Sequence, residues 1–99
     1  MWNTYQQDNE MATLIASGAT TGDAVEHTGP CTVWVTGDLK GGKINLEAGA
    51  DTGRLAPTGR ISQISQPGSY TVDAYGTYQL KATLVGAGSS PTAIVETTQ

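Results

Sequence analysis

The fold of this chain is decided by residues 67–97, which read PGSYTVDAYGTYQLKATLVGAGSSPTAIVET. Apolar and polar side chains alternate through most of this stretch, the period of two expected of a β-strand. Gly76 and the cluster at 86–91 interrupt the alternation with residues that favour chain reversals. We therefore predict three consecutive antiparallel strands paired as a meander. The side chains on their apolar faces are Tyr70, Val72, Ala74, Tyr78, Leu80, Ala82, Leu84, Ala93 and Val95.

The preceding part of the chain repeats this pattern in shorter segments. The strongest strand is 31–36, in which Cys31, Val33 and Val35 face one way and Trp34 faces the other. Turn signals recur about every ten residues, so the predicted fold class is all-β: a small antiparallel β-sandwich or barrel of about eight short strands. The other strands are predicted at 13–16, 23–26, 43–48, 54–56 and 60–64, with Ile44, Leu46 and Ala48 pointing inward.

The length of 99 residues suits one domain. We assign 12–99 to a single β-sandwich domain and 1–11 to an N-terminal arm or extension, which is polar apart from Trp2 and Tyr5. A frayed tail is the simpler interpretation of the arm, whereas its two aromatics favour a docking role. Apolar residues form only 37% of the chain and Phe is missing, so we expect support from self-association or from a partner surface.

The charge pattern argues against two classes of partner. The net charge is −4, and the five basic residues do not form the dense cluster that binding to a phosphate backbone requires. No apolar run approaches the length of a membrane span, and the N-terminus lacks a signal-peptide pattern. We therefore expect a soluble product with neither nucleic acid nor membrane as a direct partner. The basic residues are Lys40, Lys43, Arg54, Arg60 and Lys81.

Residues 37–43, GDLKGGK, fit the first seven positions of the phosphate-binding loop G-x-x-x-x-G-K-[ST]. The eighth position is Ile44, where the motif needs a hydroxyl to hold the metal ion. The motif also needs a helix to begin there, because the helix N-terminus binds the phosphates. Residues 44–48 alternate as a strand instead, so we predict a plain hairpin turn and no nucleotide cofactor.

Asp23, His27 and Cys31 are spaced four residues apart, a spacing that would align a nucleophile, a base and an orienting group on a helix. Residues 28–30, Thr-Gly-Pro, prevent such a helix. We therefore predict that the three side chains diverge and that Cys31 is a small buried apolar residue. No catalytic residue is assigned, and one His with one Cys is too little for zinc.

Three aspartates, Asp38, Asp51 and Asp73, lie in or near predicted turns. Aspartate commonly hydrogen-bonds to its own backbone in turns, whereas a calcium loop needs several oxygen ligands at fixed positions. We interpret these residues as turn formers and assign no metal ligand.

The aromatic residues supply the candidate interface. Exposed aromatic side chains anchor many protein interfaces, and they also stack on sugar rings. Subunit contact or burial in the core is the commoner role, so carbohydrate binding is the secondary interpretation. The candidate interface residues are Trp2, Tyr5, Trp34, Tyr75 and Tyr78.

Three segments together resemble a recurrent ending in small virion proteins of tailed bacteriophages. They are QPGSYTVD at 66–73, GTYQLKA at 76–82 and LVGA at 84–87. In those proteins a P-G-S-Y-x-V strand precedes a G-x-Y-x-L-K/R-A strand, a Gly/Ala/Ser turn and a last strand. The opening Ala-Thr-Leu at 12–14 and the Val-Trp-Val at 33–35 are also similar to such proteins.

The resemblance implies a β-sandwich structural protein of the phage particle and no enzymatic activity. The protein it implies is made in the host cytoplasm and located on the virion surface, as a capsid decoration (cement) protein or head fibre. Its partners would be the major capsid protein or other virion proteins, and the high copy number of a particle makes weak contacts effective. Two alternatives remain open: a tail, collar or fibre module, and a carbohydrate-binding or adhesin-like β-sandwich.

Overall fold

The computed structural model describes residues 11–51, 53–58 and 62–98. In these ranges the chain forms nine strands and no helix, which confirms the all-β prediction. The strands are β1 (Met11–Ile15), β2 (Val25–Thr28), β3 (Cys31–Thr36), β4 (Lys43–Gly49), β5 (Ala56–Pro57), β6 (Gln63–Ile64), β7 (Gly68–Val72), β8 (Thr77–Val85) and β9 (Ile94–Thr98).

The strands form two sheets, consistent with a small β-sandwich. Sheet A has the order β1-β9-β3-β7, and sheet B has the order β2-β8-β4-β5 with β6 also pairing with β4. Every strand pairing among the described residues is antiparallel. The inner faces of the two sheets contribute the core, and their outer faces carry the polar side chains.

The predicted meander is wrong. Strands β7 and β9 both lie in sheet A with β3 between them, whereas β8 lies in sheet B between β2 and β4. The alternation of a strand determines which of its faces is buried but not which strand lies beside it. β8 pairs with β4 instead, which places Ile44 beside Leu84 and Leu46 beside Ala82. The apolar neighbours of β8 in its sheet are therefore supplied by β4 and not by β7 or β9.

The predicted hairpin at 37–42 is wrong for the same reason, because β3 belongs to sheet A and β4 to sheet B. This connection crosses between the sheets and pairs with the 86–93 connection: the amide of Thr92 donates to the carbonyl of Asp38 at 3.0 Å. Gly37 allows the crossing, since its φ of 88° is left-handed and a Cβ there would meet the Thr92 carbonyl.

The predicted boundaries shift by a few residues. β1 begins at Met11, which pairs with Thr98, so the strand starts two residues earlier than predicted. β2 ends at Thr28 rather than at residue 26. The strand predicted at 60–64 overlaps β6 only at its end, and its first two residues lie outside the described residues. The first ten residues of the predicted 1–11 arm, which include Trp2 and Tyr5, also lie outside them, whereas Met11 belongs to β1.

The core consists of the alternating apolar positions, as predicted for β3, β4 and β8. Cys31 has only 4% of its surface exposed, which confirms that it is a small buried residue. Trp34 points to the opposite side of β3 from Val33 and Val35. The core residues with no exposed surface are Ile15, Val33, Ile44, Leu46, Leu80, Ala82, Ala93 and Val95.

Candidate functional site

The structure separates the three candidate interface aromatics within the described residues. Trp34 is 41% exposed and Tyr75 is 79% exposed, whereas only 6% of Tyr78 is exposed. The prediction that Tyr78 is an exposed interface residue is therefore wrong. Its ring occupies an inward position of β8, and its hydroxyl donates to the carbonyl of Gly29 at 2.7 Å, so the polar end of a buried tyrosine is satisfied inside the fold.

Trp34 is held in one orientation on the outside of sheet A. Its strand, β3, lies between β9 and β7, and the neighbouring Val33 and Val35 are fully buried on the inner face. The indole Nε1–H donates to Thr98 Oγ1 at 2.9 Å. Because this bond satisfies the ring's single donor and fixes the ring, a partner meets a preorganised aromatic surface.

The outward side chains of sheet A line up in rows across the strands. Trp34 lies between Glu96 of β9 and Ser69 of β7 in the strand register. Hydroxyl side chains dominate the rows, and Glu96 is their one charged group. We name this surface the Trp34 face. It consists of Met11, Thr13, Thr32, Trp34, Thr36, Ser69, Thr71, Ile94, Glu96 and Thr98.

The outer face of sheet B has a different character. Charged and uncharged polar side chains share its outward positions on β4 and β8, and Glu47 lies directly opposite Lys81. Lys43 and Glu26 add two more charges. The centres of protein interfaces are depleted in charge and enriched in tryptophan and methionine, which describes the Trp34 face and not this one. The Trp34 face is therefore the candidate interaction site.

Tyr75 does not belong to this site. It lies in the 73–76 connection between β7 of sheet A and β8 of sheet B, outside the strand positions that form either outer face. The outward position predicted for Trp34 is confirmed, whereas its role at an interface stays a prediction. The sequence carries a signal for the polar neighbours of Trp34, because Thr32 and Thr36 flank it on the outward side of β3 and Glu96 and Thr98 occupy outward positions of β9.

A second group of side chains joins both sheets inside the core. His27 Nε2 and Thr97 Oγ1 are 2.7 Å apart, and both residues are buried. The ring of Tyr78 lies beside that of His27, with centroids 6.2 Å apart, and its hydroxyl also lies 3.4 Å from Cys31 Sγ. His27 thus pairs with a threonine hydroxyl rather than with the thiol, in agreement with the predicted divergence of His27 and Cys31.

The thiol of Cys31 is held in its neutral form. Burial raises its pKa, and the hydrogen bond with Tyr78 only partly opposes this effect. Burial also raises the pKa of Tyr78, and the neighbouring Cys31 raises it further. The reactive form of a cysteine is the thiolate, which this environment disfavours. The group packs and hydrogen-bonds within the core rather than presenting a nucleophile to solvent.

We expect Thr97→Val to lower the free energy of unfolding by about 1–3 kcal/mol, because it keeps the side-chain volume but leaves His27 Nε2 buried without its partner. Denaturation in urea measures this loss. Thr36→Val is the matched control: Thr36 is exposed at the outer end of β3, and its replacement should change stability by less than about 0.5 kcal/mol. Equal losses in the two variants would show that the His27–Thr97 bond contributes nothing.

Two of the three aspartates, Asp38 and Asp51, form the predicted hydrogen bonds to the backbone of their turns. Asp38 Oδ1 accepts the backbone N–H of Lys40 at 2.8 Å, and Asp51 Oδ1 accepts that of Gly53 at 2.9 Å. The first of these bonds is the main reason that the pKa of Asp38 is lowered. Across residues 11–51, 53–58 and 62–98, no three His, Cys, Asp or Glu side chains are grouped so that they could hold a metal ion.

The phosphate-loop interpretation fails on geometry, because β4 begins at Lys43, where the motif requires a helix.

No protein-family model matches this chain, and no curated protein matches it. The part of the chain that the structure describes contains no helix long and apolar enough to cross a membrane. The fold and the Trp34 face thus define a small β-sandwich with one weakly charged, aromatic outer face.

Proposed function

We propose that this chain is a structural protein of a tailed-bacteriophage particle, a capsid decoration (cement) protein that binds the outer capsid surface. The observation that carries the proposal is the Trp34 face, a sheet surface with one charge and a fixed tryptophan. The resemblance of residues 66–87 to small virion proteins supports it, as does the β-sandwich architecture that this resemblance implies.

The chemistry of the face suits contact with another protein surface. Trp34 and Met11 provide exposed apolar area, and hydroxyl groups both donate and accept, so they adapt to varied backbone neighbours. Because Glu96 is the one charge on the face, binding should weaken only modestly between low and moderate salt. A steep loss over that range would point instead to the charged face of sheet B.

The size of the face predicts weak single contacts. Four strands at about 4.8 Å spacing, each about five residues long at about 3.3 Å per residue, give a surface of roughly 300 Å², which is small beside the roughly 800 Å² that each partner buries in a standard interface. A particle surface offers many identical sites, so several weak contacts made by one assembly bind firmly.

Trp34→Ala tests the proposal by co-sedimentation with capsids that lack the protein. We expect at least a tenfold loss of affinity, about 1.4 kcal/mol or more, because a central aromatic is the side chain most often dominant in an interface. Tyr75→Ala removes the other well-exposed aromatic of the part of the chain that the structure describes, and it should leave binding unchanged. Equal binding of both variants and the parent would refute the role of the Trp34 face.

Carbohydrate binding is the second candidate, and one observation favours it. The fixed indole ring of Trp34, beside hydroxyls and the carboxylate of Glu96, could stack on a sugar ring and accept bonds from its hydroxyls. The free protein passed over glycan resin separates the two functions. Retention that Trp34→Ala abolishes, with no binding to capsids, would assign a carbohydrate-binding module. Co-sedimentation with isolated tails alone would assign the tail or collar alternative.

A further inference from the structure

Within the described residues the two sheets have five edge strands, and four of these carry a feature that discourages pairing with another chain. β1 has a register irregularity between Thr13 and Ile15. β2 is four residues long, contains a glutamate and is followed at once by Gly29–Pro30. β5 and β6 are each only two residues long, and β5 ends in Pro57.

The fifth edge, β7, has none of these features within the strand itself, although Pro67 precedes it and Asp73 follows it. Its five residues, Gly68–Val72, include no charge and no proline, and its register with β3 is continuous. Ser69 and Thr71 are exposed on its outer side. The hydroxyl of Tyr70 donates to the carbonyl of Gln66 at 2.7 Å, which ties the strand to the segment before it. Among the described residues, no strand pairs with the free side of β7.

We propose that β7 pairs with β7 of a second copy of this chain. The two strands are antiparallel, and the two-fold axis lies midway between the two copies of Tyr70. A row of free backbone donors and acceptors is complementary to another extended strand. Two copies of an uncharged strand meet without like-charge repulsion, and a two-fold contact uses the same surface on both copies. The pairing joins two four-stranded sheets A into one sheet of eight strands.

This pairing fixes a register. Tyr70 lies opposite Tyr70 of the second copy, and Ser69 lies opposite Thr71 of the second copy. Because the two-fold axis is perpendicular to the sheet, both Trp34 faces lie on the same side of the joined sheet. The dimer therefore presents two tryptophans to one surface. Its overall affinity for that surface exceeds the weak affinity of a single Trp34 face. Dimerisation itself does not require capsid binding, so the two proposals can fail separately.

Sedimentation velocity of the full chain over a range of concentrations is the first test. We expect a reversible monomer–dimer equilibrium, because strand pairing buries little area. Thr71→Lys adds a charge to the free edge and should weaken dimerisation at least tenfold. Thr13→Lys places the same charge on β1, the other edge of sheet A, and should leave dimerisation unchanged. A parent chain that stays monomeric up to millimolar concentration, or an equal effect of both variants, would overturn the proposal.

Disulfide formation tests the register directly. Ser69→Cys and Thr71→Cys are prepared as separate variants, then mixed and oxidised in air. Directly opposed positions lie within disulfide range, whereas position 69 is diagonal to its own copy and too distant. We expect a mixed disulfide dimer, identified by mass, in clear excess over either self-linked dimer. The parent chain, with only buried Cys31, is the control for background oxidation. Equal yields of mixed and self-linked dimers would refute this register.

Discussion

Gly37→Ala is expected to lower the free energy of unfolding by about 3 kcal/mol, the largest effect of any single substitution considered. A left-handed φ of 88° disfavours any residue with a Cβ by about 1–2 kcal/mol. The added methyl group would also collide with the carbonyl of Thr92, whose backbone is bonded to Asp38. Forcing the two connections apart adds about 1–3 kcal/mol. Urea denaturation measures the total.

Gly41→Ala is the matched control for this prediction. Gly41 lies in the same connection with a similar φ of 80°, but nothing lies within 4 Å of the position its Cβ would take. Its replacement should therefore show only the backbone strain of about 1–2 kcal/mol. The difference between the two variants isolates the contact with the 86–93 connection, and equal losses would show that this contact adjusts freely.

Stability is expected to fall steeply in alkaline solution because of Cys31 and Tyr78. Burial raises both pKa values in the folded protein, so both groups keep their protons there longer than in the unfolded chain. Their contribution is fully present below the unfolded pKa values, about 8.5 for a thiol and 10 for a phenol, and is lost as the pH rises above them. We therefore expect the free energy of unfolding to decrease continuously as the pH rises from 8 to 11.

Variants of the two residues separate this effect from general alkaline denaturation. Tyr78→Phe removes the bond to the Gly29 carbonyl and should cost about 1 kcal/mol at neutral pH. It should lose less stability than the parent as the pH rises, so that the two curves converge, and Cys31→Ala should behave in the same way. Urea denaturation at several pH values measures the slopes. Parallel curves would assign the alkaline loss to other groups.

The faces of the strands could be predicted from the sequence, whereas their neighbours could not. The alternation of Cys31, Val33 and Val35 with Trp34 is a local property, and the structure confirms it. Pairing depends on contacts between residues far apart in the chain, and an alternating strand matches many partners equally well. Residues 37–42 show the limit clearly, because turn-forming residues fit a hairpin as well as a crossing between sheets.

The candidate site was partly predictable for the same reason. Trp34 could be identified because its exposure follows from the alternation of one strand. The burial of Tyr78 depends on the Gly29 carbonyl, 49 residues away, and no local pattern reveals that partner. The hydrogen bond between His27 and Thr97, which are 70 residues apart, likewise could not be predicted from any local pattern, because it depends on how the two sheets pack.

The central place of β9 in sheet A has a consequence for how the chain folds. Within the described residues β1 pairs only with β9, and β9 also pairs with one side of β3. The strand pairing of residues 11–15 therefore cannot form until residues 94–98 are present. Bringing β1 and β9 together closes a long loop, and its entropic cost arises before the contacts between the strands can offset it. Topologies of this kind fold slowly, on the order of milliseconds to seconds. A nascent chain that has emerged only through β8 already contains all five strands of sheet B, while β1 remains unpaired. Sheet A must therefore assemble late, after its C-terminal strand has left the ribosome.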